Sequence, residues 1–506
     1  MNLNIKIETA LISVYNKNEK IKNIIKKLSN NKVNLISTGG TQKYIESLGY
    51  QATPVENLTN YPSLFDGRLK TLHPSILGSL LYRRDIETDC KEAEKYNIKK
   101  IDLVIVDLYP FEETLKQTTN NEEIIEKIDI GGITLIRAAA KNYKHVLVIP
   151  SQDYYDFLIN ILDNQNAIST LDDRYKMATY SFQVTSTYDR LIYQYFSGSP
   201  IFEVPLHPVN QLRYGENPHQ KGWFIGNFYE ILKKEQGKDL SYNNIIDIDA
   251  ALNLILEFDE PTTAIIKHTN PCGVATSNNH IEAWQKALNS DPVSAFGGII
   301  ICNFPISVEI AKEINSIFYE ILIAPYFHND ALEILKQKSK RILLTYNNKL
   351  TNKYQVRTAL NGILIQEKNL HRTTKDILKV VTNKAPSQEE IDDLIFANKI
   401  VKHSKSNAIA IVKNKQLLGI GIGETSRVDA VKHAIEKAKN FNKDLIGAVL
   451  ASDAFFPFVD NLEIAYKAGI KAIIQPGGSI RDQECIDFCN QKNLSMIFTN
   501  FRHFKH

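Results

Sequence analysis

The chain is poor in everything that marks an exported, metal-binding or nucleic-acid-binding protein. Its 506 residues include five cysteines, at positions 90, 272, 302, 485 and 489. They form no CxxC pair and no Cys/His spacing of a zinc site, which argues against a metal centre and against a disulfide framework. A sparse, odd set of thiols suits a reducing compartment. Sixty Lys and Arg against 57 Asp and Glu leave a net charge of +3, so no basic excess serves nucleic acid or a membrane surface, and an anionic ligand must be met locally. No run of about 18 apolar residues occurs, and the start MNLNIKIETALISVYNK lacks a basic region followed by an apolar stretch and a cleavage site. The expectation is a cytoplasmic chain that neither crosses nor binds a membrane.

What is present is an ordinary globular composition, 43% hydrophobic and 23% charged, in a chain too long for one core; about two to four domains are expected. Glu8 to Val14 reads as a strand, Asn18 to Leu28 as a helix with Ile21, Ile24, Ile25 and Leu28 on one face, and Val33 to Ser37 as a second strand. Thr38, Gly39, Gly40 and Thr41 follow, before a helix from Gln42 to Leu48. Glycines at a strand-to-helix turn let backbone N–H groups approach an anion, and the threonine hydroxyls add donors, so this is a candidate phosphate cradle. In DGRLKTLHP (66 to 74), Arg68 and Lys70 share one side if the segment is extended. They either complete that cradle or belong to a solvated basic loop. Ile101 to Leu108 has the near-continuous apolar run of a strand covered on both faces, and Tyr109 follows it. Asp129 and a Gly pair then introduce a helix carrying Arg137 and Lys141, four apart on one face. Like charges there suit a helix facing an anion, and a neighbouring cation favours the neutral amine that a proton shuttle needs. A solvated face is the alternative. Met177 to Phe196 reads as helical, and Ser197 to Pro200 as a linker.

Beyond the linker, the central stretch is AIIKHTNPCGVA, 264 to 275. Apolar β-formers lead to Lys267 and His268, then an Asn-Pro turn, and strand ends are where α/β sheets present ligand-binding groups. A packed histidine beside a solvated lysine is an equal alternative. QLRYGENPHQ (211 to 220) is a donor-rich loop, LSYNN (240 to 244) precedes an apolar helix from Ala250 to Phe258, and DPVSAFGGIII (291 to 301) places a Gly pair before a strand. A fainter echo, with Lys402 and His403, Asn407, and Ala454 and Phe455 in the order of Lys267 and His268, Asn270, and Ala295 and Phe296, suggests an internal duplication. By composition the final TNFRHFKH is a frayed end.

Together STGGT, DGRLKTLHP, DIGGITLIRAAAKN, LRYGENPHQ, LSYNN, KHTNPCG, SAFGG, SDAFFPF, QPGGSIRD and the RHFKH tail resemble, in order and nearly end to end, the bifunctional purine-biosynthesis family that joins an AICAR formyltransferase to an IMP cyclohydrolase. The resemblance implies formyl transfer from 10-formyltetrahydrofolate to the 5-amino group of AICAR, then dehydrative closure of formyl-AICAR to IMP, with no metal required. It implies an α/β fold: a methylglyoxal-synthase-like domain over 1–196 and two cytidine-deaminase-like units over 201–375 and 376–506. It also implies a homodimer with shared transformylase sites. Residue by residue, it makes His268 the base for the attacking amine and Lys267 the stabiliser of developing charge. Contacts to AICAR fall on Arg213, Tyr214, Asn244, Gly297, Glu320, Asn407, Phe455 and Arg502, and contacts near the folate on Arg427, Asp460, Ser479 and Ile480. For ring closure it implies Lys141 as proton donor and acceptor with Tyr109 and Asp129 beside it, and a phosphate site from Thr38, Gly39, Gly40, Thr41, Arg68, Lys70 and Thr71.

Four positions depart from that pattern: Tyr15 and Asn16 where Ser and Asp are expected, Asp107 where Asn is, and Glu424 where Gln is. A carboxylate at 107 donates no hydrogen bond unless protonated, which leaves open a transformylase whose amino-terminal part only binds nucleotide. A zinc deaminase is excluded because Cys272 has no second cysteine three positions on. A lone sensing module leaves some 300 residues without a role, and the charge balance offers no stripe for nucleic acid.

Overall fold

A computed structural model describes residues 4–65, 68–198, 209–347 and 353–506. Asp66 and Gly67 of the DGRLKTLHP stretch, and Ser199 and Pro200 of the expected linker, lie outside them. The chain divides into two units, Met1–Leu206 and His207–His506.

In the first unit the apolar runs become a five-stranded parallel sheet. Its strands are β1 (Thr9–Val14), β2 (Asn34–Ser37), β3 (Thr53–Pro54), β4 (Leu103–Asp107) and β5 (Leu147–Ile149), in the order β3-β2-β1-β4-β5. Apolar clusters cover both faces. Helix α1 (Glu19–Asn30) buries the stripe Ile21, Ile24, Ile25 and Leu28, and the Asn18 side chain caps it by accepting the Ile21 N–H. Helix α2 spans Gly39–Ser47, so it starts at the glycines rather than at Gln42. Helices α3 (Pro74–Leu81), α4 (Asn121–Glu126), α5 (Gly131–Lys141) and α6 (Leu171–Ser197) follow. The connections reverse direction on either side of β1, which opens a crevice at the carboxyl ends of β1, β2 and β4.

The second unit carries a sheet of twelve strands among the described residues. On one side are β6 (Leu232–Gln236), β7 (Thr262–Lys267), β8 (Asn270–Thr276), β9 (Ile299–Cys302), β10 (Ile321–Ala324) and β11 (Ile342–Tyr346). A separate hairpin, β12 (Tyr354–Ala359) with β13 (Gly362–Glu367), follows. The other side has β14 (Lys379–Val380), β15 (Ile409–Lys413), β16 (Gln416–Gly421), β17 (Val449–Ser452), β18 (Ala472–Gln475) and β19 (Ser495–Phe498). The order is β6-β11-β10-β9-β7-β8-β16-β15-β17-β18-β19-β14. Outward from the β8–β16 junction at Ala275 and Gln416, each side repeats a hairpin, three parallel strands and an antiparallel edge strand.

This duplication is present in the topology, but the Lys-His echo misaligns it. Ile265 pairs with Gly273 across the first hairpin and Ile411 with Gly419 across the second. A Cβ on either glycine would lie 2.1 Å from a helix carbonyl, of Ala287 in α7 (His280–Ser290) or of Ala434 in α8 (Arg427–Asn440). The counterpart of Lys267 and His268 is therefore Lys413 and Asn414. Lys402 and His403 instead end helix α9 (Gln388–Lys402), because a shared letter pair carries less information than a shared close approach.

Candidate active sites

At the crevice of the first unit, Gly39 and Gly40 open α2 behind Thr38, whose side chain makes no cap bond and whose hydroxyl lies 3.2 Å from that of Ser13. A Cβ on Gly39 would meet the Lys70 ammonium at 3.2 Å, and one on Gly131, at the start of α5, the Thr71 hydroxyl at 3.0 Å. The 70–71 segment thus places a cation and a hydroxyl at two helix starts, where backbone donors and helix dipoles already favour an anion. Two expected members are otherwise engaged. Thr41 is buried and its hydroxyl both accepts the Val14 N–H and donates to the Val14 carbonyl, each at 3.1 Å. Arg68 forms an ion pair with Glu126 of α4.

Beside the cradle, the Tyr109 and Tyr15 rings meet edge to face at 5.6 Å. The Lys127 ammonium lies 5.6 Å from one ring centroid and 5.7 Å from the other, a cation–π arrangement that sequence reasoning missed because nothing in the spacing links 15, 109 and 127. Asp129 accepts the Gly132 N–H at 2.6 Å, while its own N–H donates to the Tyr188 hydroxyl at 2.8 Å. Burial pushes the Asp129 carboxyl up against the backbone N–H groups of Gly132 and Tyr109. Burial, then the negative charges of Asp129 and Glu126, raise the Tyr109 phenol. Asp107 accepts the Asn16 N–H at 2.8 Å, and burial raises its carboxyl. Two of the departures from the family pattern are therefore bonded to each other.

Lys141 is not beside Tyr109 and Asp129 within one chain. It is the last residue of α5, which begins just after Asp129, so about 15 Å of helix separates them at 1.5 Å per residue. Arg137 and Lys141 line a different cavity of about 740 Å³, with Leu77, Leu81, Tyr175 and Phe182.

In the second unit, β7 ends at Lys267, and the turn is His268 and Thr269 rather than Asn-Pro, since Asn270 and Pro271 already belong to β8. Both turn residues have positive φ, +50° and +65°. Lys267 Nζ donates to the Phe296 carbonyl at 2.7 Å, and a Cβ on Gly297, itself at φ +71°, would lie 3.3 Å from that ammonium. Asn270 donates to the His268 carbonyl at 2.9 Å and accepts the Lys405 N–H at 2.9 Å, which ties the turn to the loop that carries Asn407. Cys272 is buried; burial pushes its thiol up to about 12, as expected of an inert thiol rather than a ligand. Among the described residues no group of three or more His, Cys, Asp and Glu is placed to hold a metal ion.

Arg213 lies over the Tyr214 ring at 5.3 Å and lines a cavity of about 570 Å³. Phe455 is partly exposed and Arg502 exposed, while Glu320 pairs with Lys238 at 3.0 Å. Asn244 is buried in a capping box with Ser241 at the start of helix α10 (Tyr242–Ile255), its Oδ1 accepting the Ser241 N–H at 3.1 Å. Ile480 is fully exposed beside Ser479 on the loop after β18, and Asp460 is exposed. Arg427 departs from expectation. It is only 7% exposed, and its guanidinium is turned inward to Asp453, to Ser452 at 2.8 Å and to Asn407 Oδ1 at 2.7 Å. Glu424, the remaining departure, pairs with His433 at 2.8 Å.

The RHFKH end is not frayed. His503 is 1% exposed, donates its N–H to the Asp453 carbonyl at 2.9 Å and bonds Asn369 through Nδ1 at 2.9 Å. Lys505 donates from its backbone to Ser406 at 3.0 Å and from Nζ to the His403 carbonyl at 2.9 Å. Below it, Glu257 accepts from Lys402 at 2.6 Å and pairs with His403 at 3.1 Å. Burial raises that carboxyl, but His403 and Lys402 outweigh it and hold it at about 2.

A parallel α/β unit with two helix starts and the Lys70 ammonium gathered at its strand ends, followed by a duplicated α/β unit presenting a Lys-His turn, is the layout of a two-part enzyme. The chain belongs to the AICARFT/IMPCHase bienzyme family: that family's model matches residues 139–437, and an MGS-like domain model matches residues 20–134. A protein of Bacteroides thetaiotaomicron named bifunctional purine biosynthesis protein PurH is 54% identical over 503 residues, covering 99% of both chains. Proteins of the same name from Caldicellulosiruptor saccharolyticus and Aquifex aeolicus are 48% and 46% identical, covering 98% of this chain and 99% and 100% of theirs.

Proposed function

We propose that the chain catalyses the last two steps of IMP synthesis, formyl transfer from 10-formyltetrahydrofolate to AICAR and closure of formyl-AICAR to IMP. The observation that carries the first reaction is the left-handed His268–Thr269 turn beside the anchored Lys267. The AICAR amine attacks the formyl carbon, His268 takes its proton and Lys267 stabilises charge on the formyl oxygen; the bond from that carbon to folate N10 then breaks, and N10 takes up one proton in place of the one the amine lost, so that tetrahydrofolate leaves. Arg213, Tyr214, Gly297, Asn407, Phe455 and Arg502 hold AICAR; Asp460, Ser479 and Ile480 lie toward the folate.

For ring closure, Thr38, Gly39, Gly40, Lys70 and Thr71 hold the nucleotide phosphate, with Tyr109 and Asp129 at the reacting carboxamide and formyl groups. The amide nitrogen attacks the formyl carbon and water is lost. A second reading, transformylase activity alone, is favoured by the separation of Lys141 from Asp129. A homodimer with shared transformylase sites is supported by the β12–β13 hairpin, which exposes Val356, Ile363 and Leu364 to solvent. Cytoplasmic placement is supported by five free thiols.

The test is to supply AICAR with 10-formyltetrahydrofolate, and separately formyl-AICAR, to wild type and to His268→Ala and Asp129→Ala. The wild type should release tetrahydrofolate and IMP. His268→Ala should lose about 10²- to 10⁴-fold in formyl transfer and keep cyclisation, and Asp129→Ala the reverse. Wild-type enzyme that leaves formyl-AICAR unchanged would establish the second reading.

A further inference from the structure

The turn that presents Lys267 and His268 has a twin. At a constant offset of 146 residues, the helix caps Ser241 and Ser387, the carboxylates Asp247 and Asp393, the strand ends Lys267 and Lys413, and the packed glycines Gly273 and Gly419 correspond. In both copies a helix carboxylate accepts from the turn backbone. Asp247 Oδ1 takes the Thr269 N–H at 2.6 Å; Asp393 takes the Lys415 N–H and the Asn414 N–H, each at 2.7 Å.

The copies differ in what the turn bears. All four turn residues have positive φ: His268 +50°, Thr269 +65°, Asn414 +54° and Lys415 +52°. Asn is at ease there, but a β-branched Thr is not, and such conformations persist only where the surroundings impose them. The second turn spends its cations on surface pairs, Lys413 with Asp444 at 2.8 Å and Lys415 with Glu260 at 2.7 Å. The first aims Lys267 at the Phe296 carbonyl and leaves His268 at the turn. Besides Asp247, the His268 carbonyl accepts from the Thr269 hydroxyl at 2.6 Å and from Asn270 at 2.9 Å.

We propose that Asp247 is a positioning residue for formyl transfer: by accepting the Thr269 N–H it holds the strained His268–Thr269 turn and so aims Lys267 and His268 together. The proposal rests on the reading of that turn as the formyl-transfer site. Asp393, holding a turn without the Lys-His pair, shows that the carboxylate's task is the turn itself, and it supplies an internal control.

The experiment compares full-length Asp247→Ala, Asp247→Asn and Asp393→Ala with wild type for formyl-transfer kcat, AICAR KM and thermal unfolding. Asp247→Ala should lower kcat about 10- to 100-fold, the scale for a displaced catalytic group, with KM within about twofold. Asp247→Asn keeps the Oδ1 acceptor and should recover kcat to within about threefold of wild type. Asp393→Ala should lose as much thermal stability as Asp247→Ala while kcat stays within about twofold. Unchanged kcat in Asp247→Ala, equal kcat loss in Asp393→Ala, or no recovery in Asp247→Asn overturns the proposal alone. A wild type without formyl transfer overturns the site reading and the proposal together.

Discussion

The Lys70 ammonium stands 3.2 Å from where a Cβ on Gly39 would lie. A cation and the N-terminus of α2 therefore share one small space with no side chain between them, an arrangement that a phosphate dianion stabilises and that repels itself when empty. Lys70→Ala should raise the KM for formyl-AICAR cyclisation about 10- to 100-fold, the range for a charged hydrogen bond. Formyl transfer should be unaffected. Steady-state cyclisation kinetics check this, and an unchanged KM would place the phosphate elsewhere.

Arg68 is the contrasting cation. Its pairing with Glu126 is exposed on both sides, and such pairs contribute about 0–1 kcal/mol. Arg68→Ala should leave the cyclisation KM within about threefold. A loss as large as that of Lys70→Ala would show that the guanidinium swings to the substrate.

At the other end of the chain, Arg502 is exposed and lies over the Phe504 ring at 4.3 Å, while its neighbour His503 anchors the tail. Arg502→Ala should raise AICAR KM about tenfold or more without changing thermal stability. Deleting Asn500 to His506 should raise KM and also lower stability, because it removes the His503 and Lys505 bonds. Equal stability of the two variants would mean that the tail does not hold itself in place.

The His503 anchor also makes stability depend on pH. Burial, then the charges of Lys402, His371 and His403, depress its pKa to about 4, below the value of about 6.5 in an unfolded chain. As pH falls below about 6.5 the unfolded chain takes up a proton that the folded chain refuses, so stability falls until the folded pKa is reached, by about 3 kcal/mol in all. Glu257, held at about 2, loses its contribution only below about 4.3. Urea unfolding at pH 7 and 4.5 should show the loss in wild type and a smaller one in His503→Gln; equal slopes would reject the assignment.

By itself, the sequence determined the local elements and the chemistry available. The apolar runs of β4 and β7, the stripe of α1 and the glycines of α2 follow from short-range sterics and periodicity, which are carried by neighbouring residues. The ordered motifs determined the family for the same reason. Only the tertiary structure decided which groups meet. The repeat is aligned by Gly273 and Gly419 against helix carbonyls, not by the Lys-His letters. Arg427 and Asn244 satisfy internal acceptors and caps, and Lys141 sits a helix length from Asp129. Each of these depends on whether a polar group's bonding capacity is used up by a residue far away in the chain, and no local pattern records that.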